Sequence, residues 1–455
     1  MAKWLRSVPR RLLPSRRHPA RIVVTAFGYV VAAGTALLML PVATESSESS
    51  DFVTALFTAT TSVCVTGLVV TDTAGHWSTF GELVILALVQ VGGLGIMTLA
   101  SLLGLLITRR IGLRMRLTAQ AESKALGTGD MRRVLTGVAL VSLTFETVTA
   151  TVLTIRFATG YGYDIDSAAY HGVFHAITAF NNAGLALYPD SLTRFATDPW
   201  ICVTVCLAVL AGGLGFPVWI ELWRHSRGML HRWSLHAKIT LSTTALLLVL
   251  GTVAITALEW NNPDTLGRFG VGGRLLTGFF HAVMPRSAGY NVLDVGEFRP
   301  GTLLVNDILM FIGGGSASTA GGIKVTTFAL LAFVTLTEIR GEPTVHVMGR
   351  KVPATAQRQA LAVALLSVGT VMVATLFLLT TTPFGLDVVL FEVISAFGTV
   401  GLSTGITPHL SGAATVVLTL LMFLGRIGPI TLASALALRE HTRRYELPEE
   451  RPIVG

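Results

Sequence analysis

Long apolar stretches alternate along this chain with short charged connections, a pattern that predicts bilayer crossings rather than a soluble core. A crossing takes ~20 apolar residues, and 455 residues accommodate eight of them plus loops. Between paired spans lie four shorter apolar stretches, too brief to cross and each closing on a glycine. They read LFTATTSVCVTGL from Leu56, VFHAITAFNNAGL from Val173, FFHAVMPRSAGY from Phe279 and LFEVISAFGTVGL from Leu390. A phenylalanine keeps step with that glycine. Phe57 and Gly67, Phe174 and Gly184, and Phe391 and Gly401 are ten apart, whereas Phe280 and Gly289 are nine apart. A glycine-rich signature follows in the next span, at Gly92, Gly212, Gly313 and Gly425, which lie 25, 28, 24 and 24 residues beyond the first landmark.

Two landmarks recurring in register through four units define an internal repeat. Each unit holds two spans, so all four enter the membrane from the same side, and the repeats are parallel about an axis along the membrane normal. The predicted fold is an all-α polytopic membrane protein of four parallel span, pore loop, span repeats. Its eight transmembrane helices and four re-entrant pore loops surround a pseudo-fourfold central pore. The predicted boundaries are a segment 1–20, repeats at 21–120, 121–230, 231–345 and 346–440, and a tail 441–455.

Non-helical backbone at membrane depth is tolerated where it lines a water-filled cavity, so four converging loops predict a pore. Rings of backbone carbonyls replace the hydration shell of a cation there, and glycine permits the required φ. The predicted filter comprises Val65, Thr66 and Gly67; Asn182, Ala183 and Gly184; Ser287, Ala288 and Gly289; and Thr399, Val400 and Gly401. No carboxylate lies within these motifs, which favours a monovalent over a divalent cation.

Composition agrees with the pattern: 51% hydrophobic residues and 13% charged, against about 25% charged in soluble domains. The net charge of +8 sits in short basic segments beside apolar runs, as topology requires, and not in a nucleic-acid-binding patch. Segment 1–21 has seven Lys or Arg and no acid, which predicts a cytoplasmic N-terminus and a first span from Ile22 to Pro41 that is retained and not cleaved as a signal. Basic clusters at Arg109 to Arg133, Arg224 to Lys238, Arg350 to Arg358 and Arg443 to Arg451 place the later connections and the C-terminus on the same side. Cys64, Cys202 and Cys206 lie in or beside apolar stretches and read as packing residues, not as a disulfide or metal framework.

Within this frame the motifs TVGLSTG from Thr399, FNNAGL from Phe180, PRSAGYN from Pro285, STAGGIK from Ser318 and FLGRIGP from Phe423 resemble the Trk/Ktr/HKT superfamily of potassium transporters over essentially the whole chain. The start near Arg21 and the short tail are most like the Ktr-type membrane subunit, the KtrB branch. That resemblance implies potassium uptake at the cell membrane, a homodimer with one pore per protomer, and a cytoplasmic RCK-type regulatory ring, KtrA-like, that binds nucleotide. Sodium as an activator is also implied, and no organic cofactor in this chain. Serine at the first filter glycine goes with sodium preference in plant relatives, and this chain has Gly67 there.

The run GGGSASTAGG, 313–322, cannot remain regular helix through so many glycines. The resemblance implies a gate loop under the filter, with Gly313, Gly314, Gly315, Ser316, Ala317, Ser318 and Thr319 in it and the three hydroxyls lining the path; a helix-packing seam is the plain alternative. It is no phosphate-binding loop, because Ile323 separates Gly322 from Lys324. Arg426 sits in an apolar span and is expected to face water or a partner. By the resemblance it lies below the filter as a pore-restricting charge or pairs with the gate loop; an ion pair with Glu146 is the alternative. Thr58, His175, His281 and Glu392 follow the repeating phenylalanines and are expected to anchor each pore helix to its neighbours by hydrogen bonds. Glu146 and Glu221 mark functional or paired sites by default. A sodium-coupled carrier and a less selective pathway are the alternative functions. A hydrolase is disfavoured: HExxH does not occur, and the GxSxG string at Gly401 to Gly405 continues the predicted filter instead of forming the strand-to-helix turn that a nucleophile elbow needs.

Overall fold

The computed structural model describes residues 19–115, 128–229 and 232–438. The basic N-terminal segment before Pro19, the loop centre at 116–127 and the tail from 439, on whose charges the expected topology rests, lie outside the described residues.

The first repeat comprises α1 (Pro19–Leu38), the pore helix α2 (Phe52–Val63), the single turn α3 (Thr73–His76) and α4 (Thr79–Met115). The second has α5 (Thr128–Gly160), the pore helix α6 (Ile165–Phe180), α7 (Pro199–Leu214) and α8 (Phe216–Ser226). The third has α9 (Leu235–Glu259), the pore helix α10 (Val271–Val283), α11 (Pro300–Ile312) and α12 (Val325–Ile339). The fourth has α13 (Ala354–Thr381), the pore helix α14 (Leu386–Phe397) and α15 (Gly412–Leu438). Eight spans and four pore helices result, with α7 plus α8 and α11 plus α12 as interrupted spans.

Among the described residues, four helices are long and apolar enough to cross a membrane by themselves, Thr79–Leu102, Val134–Gly160, Leu235–Glu259 and Ala354–Thr381, and the bent pair α7 and α8 makes a fifth if taken as one span. Their outward faces carry apolar side chains such as Val249, Val253, Leu365, Val373 and Leu376, all exposed. Lipid is the solvent for that surface. Two pore helices are started by aspartate caps: Asp51 accepts from the Val53 amide and Asp164 from the Ser167 amide.

The repeats pack in a closed ring. Contacts run from α4 to α5 and α6, from α7 to α10, from α11 to α14 and α12 to α13, and from α15 back to α1 and α2. The four repeating phenylalanines, Phe57, Phe174, Phe280 and Phe391, are all buried in this interior, which is why they keep step with the glycines. Cys64, Cys202 and Cys206 are buried there as free thiols.

Two features depart from the sequence-based expectation. The α7 to α8 connection bends by 100° at Gly215, so the second repeat is interrupted as well as the third. Gly215 has φ +92°, and Pro217 starts α8; a left-handed glycine followed by a first-turn proline stops one helix and starts the next in a new direction. The fold is also not purely helical, because His346–Val347 and Arg350–Lys351 form a short antiparallel hairpin between the third and fourth repeats.

Candidate ion pathway

Each pore helix runs into its glycine-ending strand at its C-terminal, carbonyl-bearing end, where the aligned peptide dipoles favour positive charge. Along each strand two residues carry positive φ: Val65 and Gly67, Asn182 and Gly184, Ser287 and Gly289, Thr399 and Gly401, with values from 47° to 96°. The glycine was foreseen; the second left-handed residue was not. For β-branched Val65 and Thr399 no residue-type signal could have announced it, since such side chains rarely adopt that region.

The four glycines close a ring. A Cβ on Gly67 would lie 2.2 Å from the Ala183 carbonyl oxygen, on Gly184 2.2 Å from that of Ala288, on Gly289 2.3 Å from that of Val400, and on Gly401 2.2 Å from that of Thr66. Every strand therefore touches the next in cyclic order, and the fourth returns to the first. The glycines and the residues before them, Thr66, Ala183, Ala288 and Val400, therefore meet in one ring, without a side chain between neighbouring strands at the glycine level.

Three strands leave their pore helices by the same turn. The amide two before the glycine bonds the carbonyl five before it, as Val65 to Ser62, Asn182 to Ala179 and Thr399 to Ala396; the next amide bonds six back, as Thr66 to Thr61, Ala183 to Thr178 and Val400 to Ser395. The third repeat, one residue shorter, uses a different exit, in which Ala288 N–H donates to the Met284 carbonyl at 3.0 Å. The nine-residue spacing is thus a real difference in backbone. It sets Arg286 in the turn, buried, with Nη2 donating to Thr244 Oγ1 at 3.1 Å and Nε without a partner. The Ser287 hydroxyl donates to the Thr399 carbonyl at 2.7 Å and accepts from the Gly321 amide at 2.7 Å.

That last bond ties the interrupting loop to the strands. Loop 313–324 is a closed neck and a folded tip. At the neck, Ile323 and Lys324 amides donate to the Phe311 and Ile312 carbonyls at 3.1 and 3.0 Å. At the tip, Gly315 and Thr319 amides donate to Gly213 and Gly212 carbonyls of α7, and the Phe216 amide donates to the Ala317 carbonyl. Gly215 must be glycine because a Cβ there would meet the Ser316 carbonyl at 2.6 Å. Arg426, 3% exposed, donates from Nη1 to the Thr319 carbonyl, while Nε and Nη2 have no partner. Its pairing is therefore with the loop and not with Glu146. The loop hydroxyls are each bonded: Ser316 bonds Thr326 (2.7 Å), Ser318 bonds the Gly315 carbonyl (2.6 Å), and Thr319 bonds the Phe180 carbonyl (3.2 Å). They hold the fold of the loop. Lys324 is a further cation that was passed over, its amine donating to the Ala320 carbonyl; a lysine between apolar half-spans was the available signal.

The four predicted anchors behave unequally. Glu392 accepts from the Ser403 hydroxyl and from Thr407 Oγ1 at 3.0 Å. His175 bonds the His171 carbonyl through Nδ1 at 2.7 Å and accepts weakly from the Leu187 amide. Both bond the chain that follows the strand in their own repeat, not a neighbouring repeat. His281 has no hydrogen bond at either ring nitrogen and packs edge-on against Phe298; no side-chain hydrogen bond of Thr58 is present among the described residues. A polar side chain in a repeat position can be kept for volume as well as for bonding.

The inter-repeat bracing comes instead from Glu146. Its carboxylate accepts from Ser142 (2.6 Å), from Gln90 of α4 (3.0 Å) and from Asn181 (3.3 Å), the residue that ends pore helix α6. Asn181 also donates to Gln90 Oε1 at 2.7 Å. Glu221 is more peripheral and accepts from the Ser234 amide and hydroxyl. Replacing Glu146 with Ala removes the acceptor of the buried Ser142 hydroxyl and of the half-buried Gln90 amide, while Asn181 keeps its bond to Gln90 Oε1; a buried donor left unpaired costs about 1–3 kcal/mol. Glu146→Ala is therefore expected to lower the melting midpoint of the purified protein markedly, and Glu146→Gln, which keeps an acceptor, to recover most of it; equal midpoints for the two variants would dismiss the network.

A ring of four re-entrant hairpins inside parallel helix pairs defines an integral membrane transport protein. Residues 3–443 match the TrkH family of cation transport proteins, and the chain belongs to that family. It is 38% identical to Ktr system potassium uptake protein B of Bacillus subtilis, over 94% of this chain and 96% of the relative. It is 32% identical to the potassium/sodium uptake protein NtpJ of Enterococcus hirae, over 99% and 100% of the two lengths. The fold matches the crystal structure of the potassium transporter TrkH from Vibrio parahaemolyticus with a TM-score of 0.73 at 17% identity, covering 93% of this chain and 85% of the other. The relatives are transport proteins, not enzymes.

Proposed function

We propose that this chain takes up potassium across the cell membrane, channel-like, through main-chain oxygens of the four strands at 65–67, 182–184, 287–289 and 399–401. The observation that carries this is the cyclic contact of Gly67, Gly184, Gly289 and Gly401, each against the carbonyl of the next strand. Carbonyl rings at the C-terminal ends of four helices favour a cation without fixing it by a formal charge. Relatives named for potassium uptake and for potassium/sodium uptake support potassium as cargo, with sodium as the competitor. Reconstituted in liposomes, the purified chain is expected to take up rubidium well ahead of sodium; equal rates for the two ions would overturn the assignment.

Loop 313–319 is the gate in this reading, lying between the strands and the cytoplasmic half of the path and held by Ser287, α7 and Arg426. The basic connections support a cytoplasmic location for both termini. The name of the first relative, a lettered component of a Ktr system, supports a separate regulatory subunit. We assign that role to a nucleotide-binding RCK-type ring on a homodimer of this chain, with sodium as activator. Repeats at 21–120, 121–230, 231–345 and 346–440 are the units of this architecture.

Arg426 contributes positive charge beneath the strands and fastens the loop. Arg426→Ala is expected to raise current in planar bilayers and to change its dependence on the direction of driving force. A variant with the parent's current–voltage relation would remove Arg426 from the path.

A further inference from the structure

The interrupted span of the third repeat leaves a crevice on the lipid side that the ion pathway does not use. It encloses about 550 Å³ between α11, α12, α13 and α14, within the ~300–1,000 Å³ typical of small-molecule sites. Phe311, Phe328, Val371 and Met372 give it an apolar wall. Leu304 and Ile308, at its edge, are exposed and open it to the bilayer.

One side chain breaks this pattern. Asp307 lines the crevice, is 4% exposed, and its Oδ1 has no hydrogen-bond partner. Among the described residues no basic side chain lines the crevice with it. A buried carboxyl oxygen without a donor is costly, and an ionisable group inside a membrane marks a functional site by default. What the crevice lacks is a donor, preferably a cationic one, on a molecule otherwise apolar enough to lie against the remaining wall.

The crevice also reaches the neck of loop 313–324, since the side chains of Phe311 and Ile323 line it while their main chains form the neck hydrogen bond. We propose that the crevice binds a primary-amine amphiphile, its ammonium held by Asp307 and its alkyl chain laid along α12 and α13 beside the neck. A plain acyl chain covers the wall but leaves Asp307 unmet, and a carboxylate-headed amphiphile brings further acceptors and no donor.

The test reads binding and not flux, so its outcome stands apart from the conduction reading. The full chain in phosphatidylcholine nanodiscs is photolabelled with a diazirine derivative of dodecylamine, and the labelled peptides are mapped by mass spectrometry. Saturable labelling is expected within 304–312 and 364–372, displaced by dodecylamine and not by dodecanol or dodecanoate. Asp307→Asn, nearly isosteric, is expected to weaken that displacement at least tenfold, and Ala364→Phe to abolish the labelling by filling the crevice. Label spread evenly over the lipid-facing helices, equal displacement by dodecanol, or crevice peptides shielded by a second copy of the chain would each overturn the proposal.

Discussion

Gly401→Ser is expected to reduce rubidium-over-sodium uptake in liposomes by about tenfold, which corresponds to ~1.4 kcal/mol of discrimination. Gly401 has φ +95°, a conformation that costs an L-residue about 1–2 kcal/mol. The added Cβ would also lie 2.2 Å from the Thr66 carbonyl oxygen and 2.9 Å from Gly67 Cα. Both obstacles are backbone, so no rotamer relieves them, and the Thr66 carbonyl must turn or retreat. In the proposed filter that oxygen belongs to the ion's replacement shell. An ion that holds its water more tightly, such as sodium, then loses less of its standing relative to potassium. Gly95→Ala is the control, because a Cβ at that mid-helix position meets nothing within 4 Å. A selective Gly401→Ser variant would mean that ion discrimination lies elsewhere.

The features most visible in the sequence were those imposed on every repeat at once. Phe57, Phe174, Phe280 and Phe391 fill the same buried position behind the strands, and the glycines after them meet carbonyls of neighbouring strands. Each constraint acts on a residue type, so it writes a legible mark four times. Even the shortened third repeat carried its message: the missing residue is the altered exit that sets Arg286 against Thr244. Anchoring was less legible, because the same position serves hydrogen bonding in Glu392 and ring packing in His281. One sequence cannot say which property a position needs.

The interruption at Gly215 shows a different limit. Gly92 to Gly95 and Gly212 to Gly215 have the same four residues, yet α4 continues through the first set and α7 stops at the second. The difference lies in Phe216 and Pro217 after the second set, and in what approaches it. Carbonyls of Ser316 and Ala317 crowd the place a Cβ would take at Gly215. The bend is therefore made by a contact that only the second and third repeats make, and a contact not shared by every repeat leaves no periodic trace. The same reasoning covers Glu146, whose partners come from α4 and from the end of α6.

Deleting 313–319 is expected to raise rubidium uptake by about tenfold or more, equivalent to removing ~1.4 kcal/mol from the barrier, with little change in ion preference. The structure makes the deletion tolerable. Ile312 and Lys324, and Phe311 and Ile323, are already joined by neck hydrogen bonds, so Ala320, Gly321 and Gly322 suffice to connect α11 to the neck. Gly321 also keeps its bond to Ser287, which leaves the third strand supported. What disappears is the tip: its bonds to Gly212 and Gly213, the Thr319 contact with Phe180, and the hold of Arg426. If the segment were a packing seam between α7 and α11, its loss would loosen both helices, and uptake and melting midpoint would fall together. A loop that obstructs the path predicts the opposite pairing, faster uptake from a protein that melts near the parent's temperature, and it is this pairing in one sample that separates gate from seam.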